Sequence, residues 1–315
     1  MKIRLSSLFI ALVLTAGCPV DRSLRVGSYN IRCPVDSGEK AWDARKEDLV
    51  ALLGSLDLDV FGLQETVRKQ NIFITNALPQ YAMVGDFRDA DRVSGEASGV
   101  YYRKDRFTLL KSDTFWLSET PHTPGSKGWG AAFPRVCTWA LLADRRSGRA
   151  ILFANTHTDH ISALARKKGL ELILQNLAGL ADKNTPVILT GDHNCRESEE
   201  PAKAVAKVMK NAILATETPP EGPWRTFNGW KWKEQEVSAV EALAATPKAR
   251  NARKGSPDGG DKGWEYYGPR IDYIYVSPDV RVKSYTTRAD PRPGKKIYPS
   301  DHFPVAAVVE LPPNG

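Results

Sequence analysis

Cysteine, methionine and histidine are scarce in this chain, at four, three and five among 315 residues. The spacing of Cys18, Cys33, Cys137 and Cys195 resembles no zinc knuckle. If Cys18 is consumed by modification, the other three can form at most one disulfide, and each reads as a small buried hydrophobe. The apolar run from Leu8 to Leu14 falls well short of the ~20 residues that a membrane-spanning helix needs. No internal repeat is present. Charge is not lopsided either: a formal net of +7 on a chain this long excludes neither acidic nor neutral partners. What is abundant is ordinary globular material, 42% hydrophobic and 26% charged, enough for one large core.

The first residues, "MKIRLSSLFIALVLTAGC", place Lys2 and Arg4 before the apolar run and small residues before Cys18, the layout of a secretory leader. We read 1–18 as a leader of the lipoprotein kind with Cys18 lipidated, although Thr15 stands where an aliphatic residue is usual. The expectation is an exported protein, held at the cell envelope by an N-terminal lipid anchor or else released as a soluble protein. Residues 19–315 form one domain and a monomer.

Within that domain, "LRVGSYNI", "DVFGLQE", "EASGVYYRKDRFTLL", "RVCTWALLAD", "AILFANTHTDH", "PVILTGDHN", "RIDYIYVSPDV" and "FPVAAVVEL" read as strands. The segments "WDARKEDLVALLGSL" and "ALARKKGLELILQNLAGLAD" carry apolar residues at helical spacing. Strands alternating with helices indicate an α/β protein, and the run of adjacent strands in the middle predicts mixed sheets. From about 231 to 262 the chain is polar and lacks a sustained period, and it reads as a surface insertion.

Polar residues recur where these strands stop: Asn30, Glu65, His157 with Asp159, Asp192 with Asn194, Asp272, and Asp301 with His302. Each alone is explained by a turn or a cap. Together they suggest loops converging on one crevice. Carboxylate and amide oxygens suit Mg2+ or Mn2+, with Glu65 the first choice as ligand and Asn30 and Asp301 beside it. An imidazole next to an acid suits general base work or a cation held against a phosphoryl oxygen. These parts fit attack of water on phosphorus.

The ordered motifs "SYNIR", "LQE", "NTHTDH", "GDHN", "RIDYIYV" and "SDHFPV" resemble the endonuclease/exonuclease/phosphatase superfamily over roughly residues 24–311. The resemblance implies a four-layer α/β sandwich with two central mixed β-sheets flanked by helices, and a Mg2+-dependent phosphoric ester hydrolase. It implies metal binding by Asn30 and Glu65 with Asp301 nearby, and His302 paired with Asp272. It further implies that Asp192 orients or deprotonates water, and that Asn194 and His157 hold phosphate oxygens. Arg135, Tyr102 and His193 are weaker expectations for substrate contact; the alternatives are a surface ion pair for Arg135, at the start of its strand, and packing in place of the aromatic ring for His193. The substrate expected is a phosphodiester, in nucleic acid or a phospholipid headgroup, with a sugar-phosphate or inositol-phosphate monoester as the alternative and a silent binding protein as the alternative of another class.

Three positions depart from the family pattern: His193 replaces a phenylalanine, Thr158 an aliphatic residue, and the 231–262 segment is added. A zinc cluster on "NTHTDH" would lack its first ligand, because Asn155 stands where a histidine is needed.

Overall fold

The structure is a computed structural model, and it describes residues 21–245 and 268–313. The leader, Cys18 and the part of the 231–262 segment beyond residue 245 lie outside the described residues.

Twelve strands form two sheets of six. The strands are β1 (Ser23–Asn30), β2 (Val60–Thr66), β3 (Tyr81–Val84), β4 (Ala97–Arg103), β5 (Phe107–Trp116) and β6 (Val136–Asp144), followed by β7 (Ala150–His157), β8 (Val187–Asp192), β9 (Lys210–Asn211), β10 (Asp272–Val276), β11 (Arg281–Thr287) and β12 (Val305–Glu310). One sheet runs β11-β12-β1-β2-β4-β3, the other β5-β6-β7-β8-β10-β9. Both are mixed: β1 and β2 are parallel, as are β7 and β8, and the remaining named pairs are antiparallel.

Period-two alternation builds the layers. Val60 faces the core between the sheets, whereas Phe61 and Leu63 face the helices α1 (Trp42–Ser55) and α2 (Arg68–Ala77). On the other side α3 (Ala163–Leu180) lays Leu170, Ile173 and Leu177 on Leu152, Leu189 and Tyr273. Ser162 starts that helix by accepting the Ala165 N–H. The result is the expected order of helix, sheet, sheet and helix.

Two details differ from the sequence reading. "EASGVYYRKDRFTLL" is β4 and β5, and these lie in different sheets, so the chain crosses the sandwich there. The segment read as a surface insertion begins inside the core: Val237, Ala239 and Ala242 are buried between the sheets, and Ser238 caps a short helix, Ala239–Ala244. Its apolar residues are small and separated by charges, which hid their period.

A polar bridge ties the sheets beneath one end of the sandwich. Asn155 donates to the Leu63 and Gly99 carbonyls at 2.9 and 3.0 Å and accepts from Gln64 at 2.6 Å. Gly62 makes room for it, because a Cβ there would meet Asn155 at 2.2 Å. This buried, fully engaged amide explains why "NTHTDH" carries an asparagine at position 155.

Candidate active site

Strand pairing, parallel between β7 and β8 and antiparallel between β8 and β10, brings the polar residues to one edge. His157 is the cross-strand partner of Asp192, and Asp192 of Asp272. Asp272, Asp301 and His302 therefore stand at or just before the starts of β10 and β12, not at strand ends as the sequence suggested. Because those strands run antiparallel to β8 and β1, their starts share the edge where β1, β2, β7 and β8 finish.

His302 is the centre of charge. Its Nδ1 lies 2.8 Å from Asp272 Oδ2 and its Nε2 3.7 Å from Asp192 Oδ2. Burial alone would strip its proton, but the two carboxylates outweigh burial and push its pKa up to about 10, so the ring is an imidazolium. Burial, together with the negative charge of Asp272, raises the proton affinity of Asp192 well above that of an ordinary carboxylate. Asp192 also receives the Asn194 N–H at 2.9 Å on Oδ1 and the Asn30 amide at 3.0 Å on Oδ2. Asp192, Asp272 and His302 are all buried and have ligand atoms within 4.8 Å of one another.

His157 behaves oppositely. Burial and the neighbouring Arg135 hold its pKa well below the usual value, so it is neutral. Arg135 Nη1 lies 3.1 Å from its Nδ1. A guanidinium is a permanent donor and takes that lone pair, which puts the imidazole's own proton on Nε2. The acceptor that faces Nε2–H is Asp192 Oδ2 at 3.5 Å; the Asn194 side-chain nitrogen, 2.9 Å away, is itself a donor held on the Thr158 carbonyl. Arg135 is buried, and its Nη2 lies 3.0 Å from His160 Nδ1. It orients two histidines and lies 3.6 Å from Asp159 and 4.0 Å from Glu96, so its ion pairs are buried at the cleft and not on the surface.

Glu65 occupies a bulge at the end of β2 with φ of 61°, a left-handed conformation that a non-glycine residue adopts at a cost. Burial opposes its charge, yet bonds from the Asn30 amide at 2.9 Å and the Cys33 N–H at 3.0 Å outweigh burial and lower its pKa. Asp301 is raised, first by burial and then by Glu65. Arg32, with φ of 61°, places its guanidinium 3.8 Å from both carboxylates. Asn30 turns its nitrogen toward Glu65 and Asp192 and accepts the Arg32 N–H on its oxygen, so here it positions two carboxylates and does not offer them an oxygen. Glu65, half-buried, and Asp301, buried, are hard oxygen donors whose repulsion a divalent cation would relieve, so the residues present fit Mg2+ or Mn2+. A second group, Cys33, Glu65 and Glu96, lies on the cleft wall.

Two expected contacts do not reach the cleft. Tyr102 pairs with Val60 at the far end of the sheet and is buried between the sheets, and Tyr101 is equally buried with its hydroxyl on Asn71. Strand alternation sends the two rings to opposite faces, and both faces are covered by other layers. His193 is fully buried between Tyr273 and Tyr275 at ring distances of 5.3 and 5.6 Å. Burial lowers its pKa to about 3, and neither ring nitrogen has a partner. It packs as the phenylalanine it replaces would. Thr158, the other departure, donates to the His193 carbonyl at 2.6 Å, so its hydroxyl holds the loop between Asp192 and Asn194.

Other contributors lie outside the set of candidate residues. "TFNGW" clamps the site from behind: Thr226 Oγ1 accepts the Ile271 and Asp272 N–H groups, and Asn228 donates to the Ser300 and Asp301 carbonyls. Phe227 sets its ring edge-on to His302 at 5.0 Å. The cleft holds about 1100 Å3 and is lined by Arg32, Arg88, Arg135 and Arg196, with Glu96 and Phe133 on one wall. Arg32 closes the quoted motif "SYNIR" and could have been found there; the others have no local signal.

The match of the family model described as Endonuclease/Exonuclease/phosphatase family spans residues 27–302. A family member of known structure from Bacteroides thetaiotaomicron is 31% identical, with 91% of this chain and 97% of that one covered and a TM-score of 0.75. A mannosyl-6-phosphatase from the same organism is 32% identical over 91% of this chain and 99% of that one, with a TM-score of 0.73. A functionally unknown conserved protein from Enterococcus faecalis is 27% identical, covering 91% of this chain and all of that one, with a TM-score of 0.72. No curated protein matches the sequence. Motif order, double-sheet topology and these likenesses agree: the chain belongs to the endonuclease/exonuclease/phosphatase family.

Proposed function

We propose that this protein hydrolyses a phosphate monoester by attack of water on phosphorus. The observation that carries this reading is the floor of the cleft, where Asp192 faces Asn30 and the two histidines within 3.0 to 3.7 Å. Asp192, with its raised proton affinity, is suited to take a proton from water. The His302 imidazolium and the His157 Nε2–H face the same point from two sides and suit the oxygens of a phosphoryl group whose charge grows in the transition state. Asn194 and Thr158 fix the loop that sets this geometry. Glu65 and Asp301 would hold a divalent cation, which when bound supplies further positive charge to the phosphate.

A monoester is favoured over the diester expected from sequence by the wall of the cleft. The cleft is a confined space of about 1100 Å3 in which four arginines are interleaved with six carboxylates, whereas a nucleic acid asks for an extended cationic track. The 32% identical neighbour that is a mannosyl-6-phosphatase supports the same direction. A leader of the kind read at residues 1–18 would carry this activity outside the cytoplasm.

The test is hydrolysis of p-nitrophenyl phosphate and bis-p-nitrophenyl phosphate with Mg2+, Mn2+ or EDTA, alongside Glu65→Ala. Metal-dependent turnover that favours the monoester and disappears in the variant is the expected result. Preference for the diester restores the earlier reading, and absence of turnover on both points to a silent binding protein.

A further inference from the structure

Beyond the reacting phosphate the cleft needs a place for the leaving group, and its walls are not alike. Phe133 lines it with 46% of its surface exposed, whereas Phe227 and Trp230 on the opposite wall are partly buried. Arg88 lies over the Phe133 ring at 4.8 Å, and the His160 ring runs nearly parallel to it at 6.1 Å. Arg88 Nη1 in turn donates to Glu96 Oε2 at 2.7 Å. An exposed aromatic ring, a guanidinium and a carboxylate thus adjoin on one wall.

We infer that Phe133, Arg88 and Glu96 form the leaving-group subsite and that it takes the ring of a hexose; this rests on the monoester reading above. A pyranose presents apolar C–H groups next to vicinal hydroxyls. Phe133 supplies apolar surface for the first. Glu96 has lone pairs beyond the one used by Arg88, and Arg88 has further N–H groups, so together they accept from and donate to the second. The position of the subsite relative to phosphorus is set by the bonds that set His157. Arg135, two residues after Phe133, holds both His157 and His160, and the Ala132 N–H is fixed on Asp159 at 2.9 Å.

The experiment compares mannose 6-phosphate with methyl phosphate, which has no ring, for wild type, Phe133→Ala and Phe133→Trp. The wild type is expected to favour the hexose phosphate. Phe133→Ala is expected to lower kcat/KM for mannose 6-phosphate at least about tenfold, through KM, while changing that for methyl phosphate less than about twofold. Phe133→Trp should retain most of the preference. Phe133 is exposed, and unchanged melting of both variants verifies the fold. Equal losses on both substrates, no loss on either, or a wild-type preference for adenosine 5′-phosphate over the hexose overturns the subsite while leaving the phosphoesterase standing. If wild type turns over no phosphomonoester, the monoester reading falls and the subsite with it.

Discussion

The two ends of the sandwich bury charge in opposite ways. At the end remote from the cleft, Arg106 is 2% exposed and bonds Asp144 through Nε and Nη2 at 2.9 and 3.0 Å, the Ser23 carbonyl through Nη2 at 2.6 Å and Asp59 through Nη1 at 2.8 Å. Asp144 also receives N–H groups from Arg146 and Ser147 and the Ser147 hydroxyl. Burial would neutralise both partners, but these bonds outweigh it: the Asp144 pKa is lowered and that of Arg106 raised. Each group keeps its ordinary charge, and the pair sews Asp59 and Ser23 of one sheet to Asp144 of the other.

At the cleft the same ingredients are left out of balance. Asp192, Asp301 and Glu96 are held with raised proton affinity, His157 is neutral, and His302 is charged. Glu65, Arg32 and Asn194 adopt left-handed backbone. Groups whose proton affinities are driven apart, on a strained backbone, mark the end that reacts; groups that satisfy one another mark the end that holds.

The contrast is broken most directly by exchanging its two sides. His302→Ala should cost at least about 10²-fold in kcat/KM on a phosphomonoester and leave the folded core intact. Wild-type rates in that variant would show that the charged end is not the reacting one. Asp272→Asn sharpens the point through pH. Its charge raises His302, so without it the imidazolium loses its proton at lower pH and the alkaline fall in activity moves down. The same charge raises Asp192, so the acid rise also moves down. A profile in which the limbs stay put, or move apart, contradicts the assignment.

At the remote end the order of effects should reverse. Asp144→Ala leaves the buried guanidinium with Asp59 as its one remaining carboxylate and is expected to cost at most about 3–5 kcal/mol of stability in urea unfolding. The surviving folded molecules should retain wild-type kcat. A loss of kcat in step with stability would mean that the two ends are not independent.

The smallest effect is expected at His193, where the cleft end holds a group that satisfies nobody. His193→Phe removes two unpartnered nitrogens and should stabilise by about 1 kcal/mol, with activity unchanged. The sign with pH follows from its lowered pKa. The folded state refuses a proton down to about 3, whereas the unfolded chain accepts one near 6.5. Wild type therefore loses stability as pH falls through about 6.5, and the variant should lose less. Identical acid sensitivity would rule out this account.

The double-sheet fold and the reactive edge were legible because strand alternation is local and because Asp192, Asp272, His302, His157, Asn194 and Glu65 each lie in or beside a strong apolar run. The cationic wall was not. Arg88, Glu96 and Phe133 come from loops and a strand start far from any motif, and only the crossing between sheets after β4 brings them to the cleft. Tyr102 failed for the converse reason: alternation says that a side chain faces one side of a sheet, but not that both sides are covered. His193 left two readings open in sequence, packing in place of the aromatic ring or touching substrate, and its neighbours in space, two tyrosine rings, agree with the first.

The pairing of β1 with β12 has a consequence for when activity first appears. Asn30 ends one strand and His302 precedes the other, so a reacting edge requires the first and last strands to meet. A ribosome that has delivered everything through β11 has made a chain with β1 bare along one side and no imidazolium beside Asp192. Until the final stretch is released and folds back onto the beginning, the nascent chain holds no complete site with which to attack the phosphate esters around it.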